Sequence, residues 1–165
     1  RRRTERFHMV IHGLFGVVCA YFVHDIFPAA SLGNLLFWGV AGSLLPDTDH
    51  FLYFYVYGRR DIYSKIVRAY IRNKKFRKLV LFLRFNHKKN GGLYSHNILS
   101  LIIALYLFEY FARIKDMPTL SVVALAWFCH YAFDMGEDFL FMKRLNPNWL
   151  LRFDKKAKKK DLVIP

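Results

Sequence analysis

The chain has 165 residues, 55% hydrophobic and 18% aromatic, and yet carries 26 Lys plus Arg against 12 Asp plus Glu, a formal net charge of +14. An ordinary soluble domain does not combine that much Phe and Tyr with such a charge, and the two populations lie in separate blocks, which is the layout of a membrane protein. Two cysteines, Cys19 and Cys129, both inside apolar blocks, exclude a disulfide framework and read as small buried hydrophobes.

The first apolar block, residues 8–27, follows RRRTER without a small-residue cleavage site, so it is expected to stay as a first span. Pro28 closes it. A second span is expected over 31–45, ending at Pro46, and the FLYFYVY run after PDTDH is too short to cross a bilayer. Between 58 and 90 cations dominate, with Ile62, Ile66, Ala69, Tyr70 and Phe76 recurring among them, and this predicts one basic amphipathic helix lying in the interface. Gly91 and Gly92 precede a third span over 93–112, and Pro118 opens a fourth over 119–142. The expected fold is therefore all-α: a polytopic membrane bundle of about four transmembrane helices with a basic interfacial helix. Residues 1–142 form one embedded domain, and 143–165 a basic cytoplasmic tail.

Four spans place the N-terminal arm, the 46–92 segment and the C-terminal tail on one side, and these hold 24 of the 26 cations. Cation-rich short segments stay in the cytoplasm, so both termini are expected there. The same topology brings His12, Asp47, Asp49, His50 and His96 to inner helix ends. His130 and Asp134 lie roughly 16 and 22 Å along span four at the helical rise, in its inner half. His130 and Asp134 are i and i+4, on one helix face.

Ionisable groups in apolar surroundings are costly and are kept for a purpose. Seven candidate ligands, His12, Asp47, Asp49, His50, His96, His130 and Asp134, converge at one depth and imply a divalent cation. Mixed imidazole and carboxylate donors suit zinc first, with manganese or iron as alternatives, in one to three ions. Asp49, Asp134 and Asp138 are the candidate carboxylates for proton transfer. The bland reading of Asp47 or Thr48 is a helix cap. His8, four residues before His12, could join the site, though Arg6 beside it suggests the headgroup layer, and His24 and Asp25 read as interfacial.

An early His, then LPDTDH, a Ser before a His opening a helix, and an HxxxD helix make a pattern. It resembles the YdjM-like family of membrane-bound metal-dependent hydrolases, itself thought similar to zinc-dependent phospholipase C and P1-type nucleases. The matching residues are His12 in VIHGLFG, Asp47, Asp49 and His50 in LLPDTDH, His96 in YSHN, and His130 and Asp134 in FCHYAFD. The family's compact HRGxTHS box is here HKKNGGLYSHN, so His87 would supply the first His only across a longer loop, and Asn97 stands where a Ser is usual.

The implied activity is hydrolysis of an ester or phosphoester of a lipid or lipid-linked substrate at the cytoplasmic face of the inner membrane. The alternative is a non-catalytic metal-stabilised protein, or an assembly or regulatory subunit whose basic loop holds anionic lipid, protein or nucleic acid. Anionic headgroups are the expected partners of the cationic segments. No nucleic-acid-binding signature accompanies the charge. The sequence has no GxSxG, Walker loop, Rossmann fingerprint or CxxC, which removes serine-hydrolase, nucleotide-triphosphatase and dithiol chemistry.

Overall fold

The computed structural model describes residues 4–86, 93–142, 147–150 and 162–165. Every regular element among them is helical, and the chain divides into two compact units, Arg1–Pro46 with Ser95–Leu150, and Asp47–Tyr94 with Leu151–Pro165.

The first unit is built from α1 (Thr4–Ile26), α2 (Leu32–Leu44), α6 (Ile98–Glu109), α7 (Pro118–Met142) and the short α8 (Pro147–Leu150). Local sequence sets their ends. Ser31 caps α2 by accepting from the Asn34 backbone N–H, and Asn97 caps α6 by accepting from Ser100 N–H at 2.9 Å. The residue that departs from the family box therefore serves as a helix cap. Pro118 occupies the first position of α7, where its missing N–H costs nothing. α7 packs against α1, α2 and α6, and α1 packs along α2.

Small residues allow these contacts. A Cβ added to Gly16 would meet the backbone of Gly39, and one added to Gly39 would meet that of Gly16, so α1 and α2 cross at backbone contact. The core beside the crossing is Cys19, Ala20, Val23, Leu35, Phe108, Val122, Ala124 and Ala126. The two thiols face each other there as free cysteines, Cys19 Sγ donating to Cys129 Sγ at 3.6 Å. The outward faces are apolar too: Val10, Leu14 and Val18 form an i, i+4, i+8 stripe on α1, 57–64% exposed, and Leu99, Ile102 and Tyr106 a similar one on α6. Helices apolar on both faces are covered by something other than water.

Over Phe7–Ile26, α1 is long and apolar enough to cross a bilayer, the one such helix among the described residues. The other three expected spans coincide with α2, α6 and α7. With 13 and 12 residues, α2 and α6 each measure about 20 Å, short of the roughly 30 Å hydrocarbon layer. A π-helical turn, Tyr110–Ile114, prolongs α6.

The second unit holds α3 (Thr48–Leu52), a π-helical turn over Tyr53–Tyr57, α4 (Ile62–Arg72) and α5 (Phe76–Asn86). Here the single interfacial helix expected over 58–90 is corrected: the described part is a hairpin of two helices. Lys74, at φ 53°, turns the chain between them. Tyr63, Ser64 and Val67 are the buried positions of α4, the expected Ile62, Ile66 and Tyr70 pack partly buried against the same core of Tyr53 and Phe82, and Phe76 is exposed. Tyr53 donates to Asp61 Oδ2 at 2.8 Å.

The C-terminal residues dock into this unit. Leu162 enters its core, Asn86 bonds both the N–H and the carbonyl of Val163 at 2.8 Å, and Lys78 Nζ lies 3.2 Å from the Pro165 carbonyl oxygen.

Candidate metal centre

The buried stripe of α7 changes character along its length. It begins with Val122 and Ala126 and continues through His130, Asp134, Glu137 and Asp138, each 8% exposed or less. Successive spacings of four, four, four, three and one keep these side chains on one helical face. On α1, His8 and His12 are likewise four apart and extend the buried face that carries Gly16, Cys19 and Val23.

These histidines surround one carboxylate. Asp134 Oδ1 lies 3.5 Å from His8 Nε2 and 3.4 Å from His12 Nε2, and Oδ2 lies 3.3 Å from His96 Nε2 and 3.4 Å from His130 Nε2. Two three-donor groups result, His8–His12–Asp134 and His96–His130–Asp134, sharing the carboxylate. The rings of His12 and His130 stack with centroids 3.9 Å apart.

Hydrogen bonding fixes how two of the rings are turned. His130 Nδ1 is 2.7 Å from the carbonyl oxygen of Ser43. A carbonyl only accepts, so Nδ1 carries a proton, and in the neutral ring Nε2 presents its lone pair toward Asp134. A backbone acceptor behind a ring nitrogen is the arrangement that orients metal-ligating histidines. His96 Nδ1 is hydrogen-bonded to Ser95 Oγ at 2.9 Å, a hydroxyl that can donate or accept, so this contact orients the ring without fixing its tautomer.

A lone pair facing a carboxylate oxygen needs positive charge between them. An imidazolium hydrogen-bonded to the carboxylate would draw the heavy atoms to about 2.7–2.9 Å. The observed 3.3–3.5 Å is longer than that and would leave room for a cation between the nitrogens and the carboxylate, while His8 Nε2 and His12 Nε2 lie 3.0 Å apart. Asp134 is buried among the imidazoles, and a buried carboxylate is stable only when paired or bound to a cation. The residues present therefore fit a divalent ion.

Of the residues expected from the sequence, His12, His96, His130 and Asp134 come together in the first unit. Asp138, one turn beyond Asp134, accepts from Trp149 Nε1 at 2.9 Å. Asp47, Asp49 and His50 belong to the second unit. There His50 Nε2 is 3.9 Å from Asp47 Oδ1, and Asp49 Oδ1 accepts from the Tyr57 hydroxyl, which in turn accepts from Tyr94 N–H at 3.3 Å. Asp47 precedes α3 without any side-chain capping bond, which argues against the cap reading. His87 lies outside the described residues.

His8 joins the centre although Arg6 beside it suggested the headgroup layer; its i−4 spacing to His12 was the available signal. Ser43 and Trp149 were not anticipated, and Ser95 was noted only as the Ser that precedes His96 in the motif.

A family model described as YdjM inner membrane protein matches residues 8–140. The chain belongs to the YdjM family. The match covers α1 through most of α7 and so includes the whole imidazole cluster of this YdjM protein, and the family is one of the inner membrane. No curated protein and no solved structure matches the chain.

Proposed function

We propose that this YdjM protein is a metal-dependent hydrolase of the inner membrane, cleaving an ester or phosphoester of a lipid or lipid-linked substrate. The observation that carries the reading is Asp134 placed between two pairs of imidazole nitrogens, with the His130 ring committed through Nδ1 to Ser43. A carboxylate with one oxygen toward each histidine pair suits two ions held side by side, and zinc is the first candidate for a shell of imidazole and carboxylate. Bound divalent ions would supply an activated water and stabilise the charge that develops in an in-line displacement.

The protein's own groups have distinct tasks in this scheme. His8, His12, His96, His130 and Asp134 hold the cation. Ser43 and Ser95 keep two rings in ligating orientation. Asp138, anchored by Trp149, is the proposed proton acceptor. Asp47, Asp49 and His50 are proposed as further ligands from their place in the LPDTDH segment alone, with Asp49 also able to accept a proton. Distant kinship with zinc-dependent phospholipase C and P1-type nucleases is part of the same proposal.

A four-span arrangement is proposed with it, supported by the outward apolar stripes of α1 and α6. The distribution of cations then favours termini on the cytoplasmic side, and a site at membrane depth favours a substrate that resides in the lipid.

Elemental analysis of the detergent-purified protein tests the ligand set, and hydrolysis of short-chain phosphatidic acid and phosphatidylcholine tests the chemistry. Turnover that is lost with EDTA, regained with zinc or manganese and absent in Asp134→Asn supports the hydrolase. Stoichiometric metal with no hydrolysis of ester or phosphoester lipids would favour a cation that only ties the helices together.

A further inference from the structure

Outside the imidazole cluster, the second unit concentrates positive charge. Between Gly58 and Asn86 there are ten Lys or Arg and a single carboxylate, Asp61, which is occupied by the Tyr53 hydroxyl. On α4 three of the cations, Lys65, Arg68 and Arg72, recur at i, i+3 and i+7 and therefore share one face. That face borders a groove of about 480 Å³ lined by Tyr55, Lys65, Arg68, Ala69, Ile71 and Arg72. Among the described residues, no carboxylate lines it.

Arg68 is held ready in this groove. Its Nε donates to the Ser64 carbonyl at 3.4 Å and another of its N–H groups donates to the Arg59 carbonyl. Two of its five donors thus fix the guanidinium fork, an arrangement that lowers the entropy lost on binding a phosphoryl group. Lys65 and Arg72, both exposed, flank it as mobile charges. Next to Tyr55 in the chain, Phe51 and Leu52 at the end of α3 and Val56 in the following turn are 47–62% exposed. Cations beside bare apolar side chains match a molecule that is anionic at one end and hydrocarbon at the other. A free phosphate would use only the first half of that surface.

We infer that the groove of Tyr55, Lys65, Arg68 and Arg72 is a binding site for the headgroup phosphate of an anionic phospholipid, whose acyl chains lie along Phe51, Leu52 and Val56. The site is independent of the cation cluster and of the hydrolase reading.

Binding of dioleoylphosphatidylglycerol to the full chain in mixed micelles, followed by native mass spectrometry and by titration, tests it. The variant Lys65→Gln/Arg68→Gln/Arg72→Gln should lose at least about tenfold in affinity, because these three side chains are the ones placed to contact the phosphate directly. The control Lys74→Gln/Lys75→Gln/Arg77→Gln removes the same charge elsewhere on the hairpin and should change affinity by less than about threefold. Because Arg68 also braces α4, Lys65→Gln/Arg72→Gln serves as a second variant with that brace intact, and it should still lose more than the control. Equal losses in groove and control variants would mean diffuse attraction and overturn the site. So would equal retention of phosphatidylcholine, or displacement of the lipid by millimolar inorganic phosphate.

Discussion

His12 and His130, carried by α1 and α7, stack with ring centroids 3.9 Å apart and planes 22° from parallel, both fully buried. Two imidazolium rings would repel strongly at this distance in a medium of low dielectric. Ligating imidazoles are neutral, so the stack agrees with the proposed metal centre.

The first expectation is loss of metal. Asp134→Asn keeps the volume and removes the shared charge, and it should abolish stoichiometric divalent metal as measured by elemental analysis. His130→Ala should do the same. Removing the metal from the wild type with EDTA should lower the thermal midpoint, because an ion bound to the native state alone stabilises it by mass action, by roughly 2.7 kcal/mol at a hundred times Kd. Wild-type metal content in the Asp134 variant would refute the assignment.

Ser95 and Asn97 are two residues apart and should behave differently. Ser95 Oγ orients His96 through Nδ1, whereas Asn97 caps α6. Ser95→Ala is expected to weaken metal affinity about 10–100-fold, the usual cost of losing a group that positions a ligand. Asn97→Ala should cost about 1 kcal/mol of stability and leave metal affinity unchanged. Competition with a chromogenic chelator, beside thermal melts, separates the two.

Much of this centre was legible in the sequence because helical spacing is a strong rule. An i, i+4 pair such as His130 and Asp134 must share a face, and placing inner helix ends at one depth brought His12 and His96 toward them. What was hidden depends on the backbone or on tertiary contact. The acceptor behind His130 is the carbonyl of Ser43, and carbonyls have no sequence signature. Trp149 reaches Asp138 from a segment that reads only as part of a basic tail. His8 was obscured by the charge of its neighbour. In the basic region no Gly or Pro marks the hairpin: the turn is made by Lys74 in a left-handed conformation that Lys seldom adopts, so 58–90 read as one helix.

Glycine positions allow a matched comparison of packing. A Cβ at Gly39 would meet the backbone of Gly16, while Cβ atoms at Gly13 and Gly136 would meet nothing within 4 Å. Gly39→Ala should therefore force α1 and α2 apart, at a cost of roughly 1–3 kcal/mol or more. Gly13→Ala and Gly136→Ala should stabilise their helices by up to about 1 kcal/mol each, since Gly is the poorer helix former. Thermal melts of the three variants in one detergent check the opposite signs.

The second unit should be sensitive to alkali. Burial, reinforced by the Asp61 carboxylate, holds the Tyr53 phenol well above its ordinary value, and burial alone does so for Tyr63. In the unfolded chain both ionise near pH 10. Their contribution to stability is thus complete below about pH 10 and is lost as the pH rises toward the folded-state values. Tyr53→Phe should flatten part of that loss while forfeiting one hydrogen bond, about 1 kcal/mol at neutral pH. Urea titrations of both proteins between pH 8 and 12 would reveal a flatter alkaline limb in the variant; parallel limbs would contradict the argument.

Asn86 is fully buried and meets Val163 twice, Nδ2 donating to the carbonyl and Oδ1 accepting from the N–H, both at 2.8 Å. A primary amide reproduces there the paired bonds of two neighbouring strands, and no other side chain of that size offers a donor and an acceptor side by side. Asn86→Asp keeps the acceptor but replaces the donor with a second acceptor aimed at a carbonyl, so it should release residues 162–165 more completely than Asn86→Ala. Each lost bond is worth about 0.5–1.5 kcal/mol, and a buried charge adds to that. Limited proteolysis around residues 162–165 reads the release directly, with cleavage fastest in the Asp variant, intermediate in the Ala variant and slowest in the wild type. Equal rates in all three would mean that Leu162 in the core, rather than the amide, holds the segment in place.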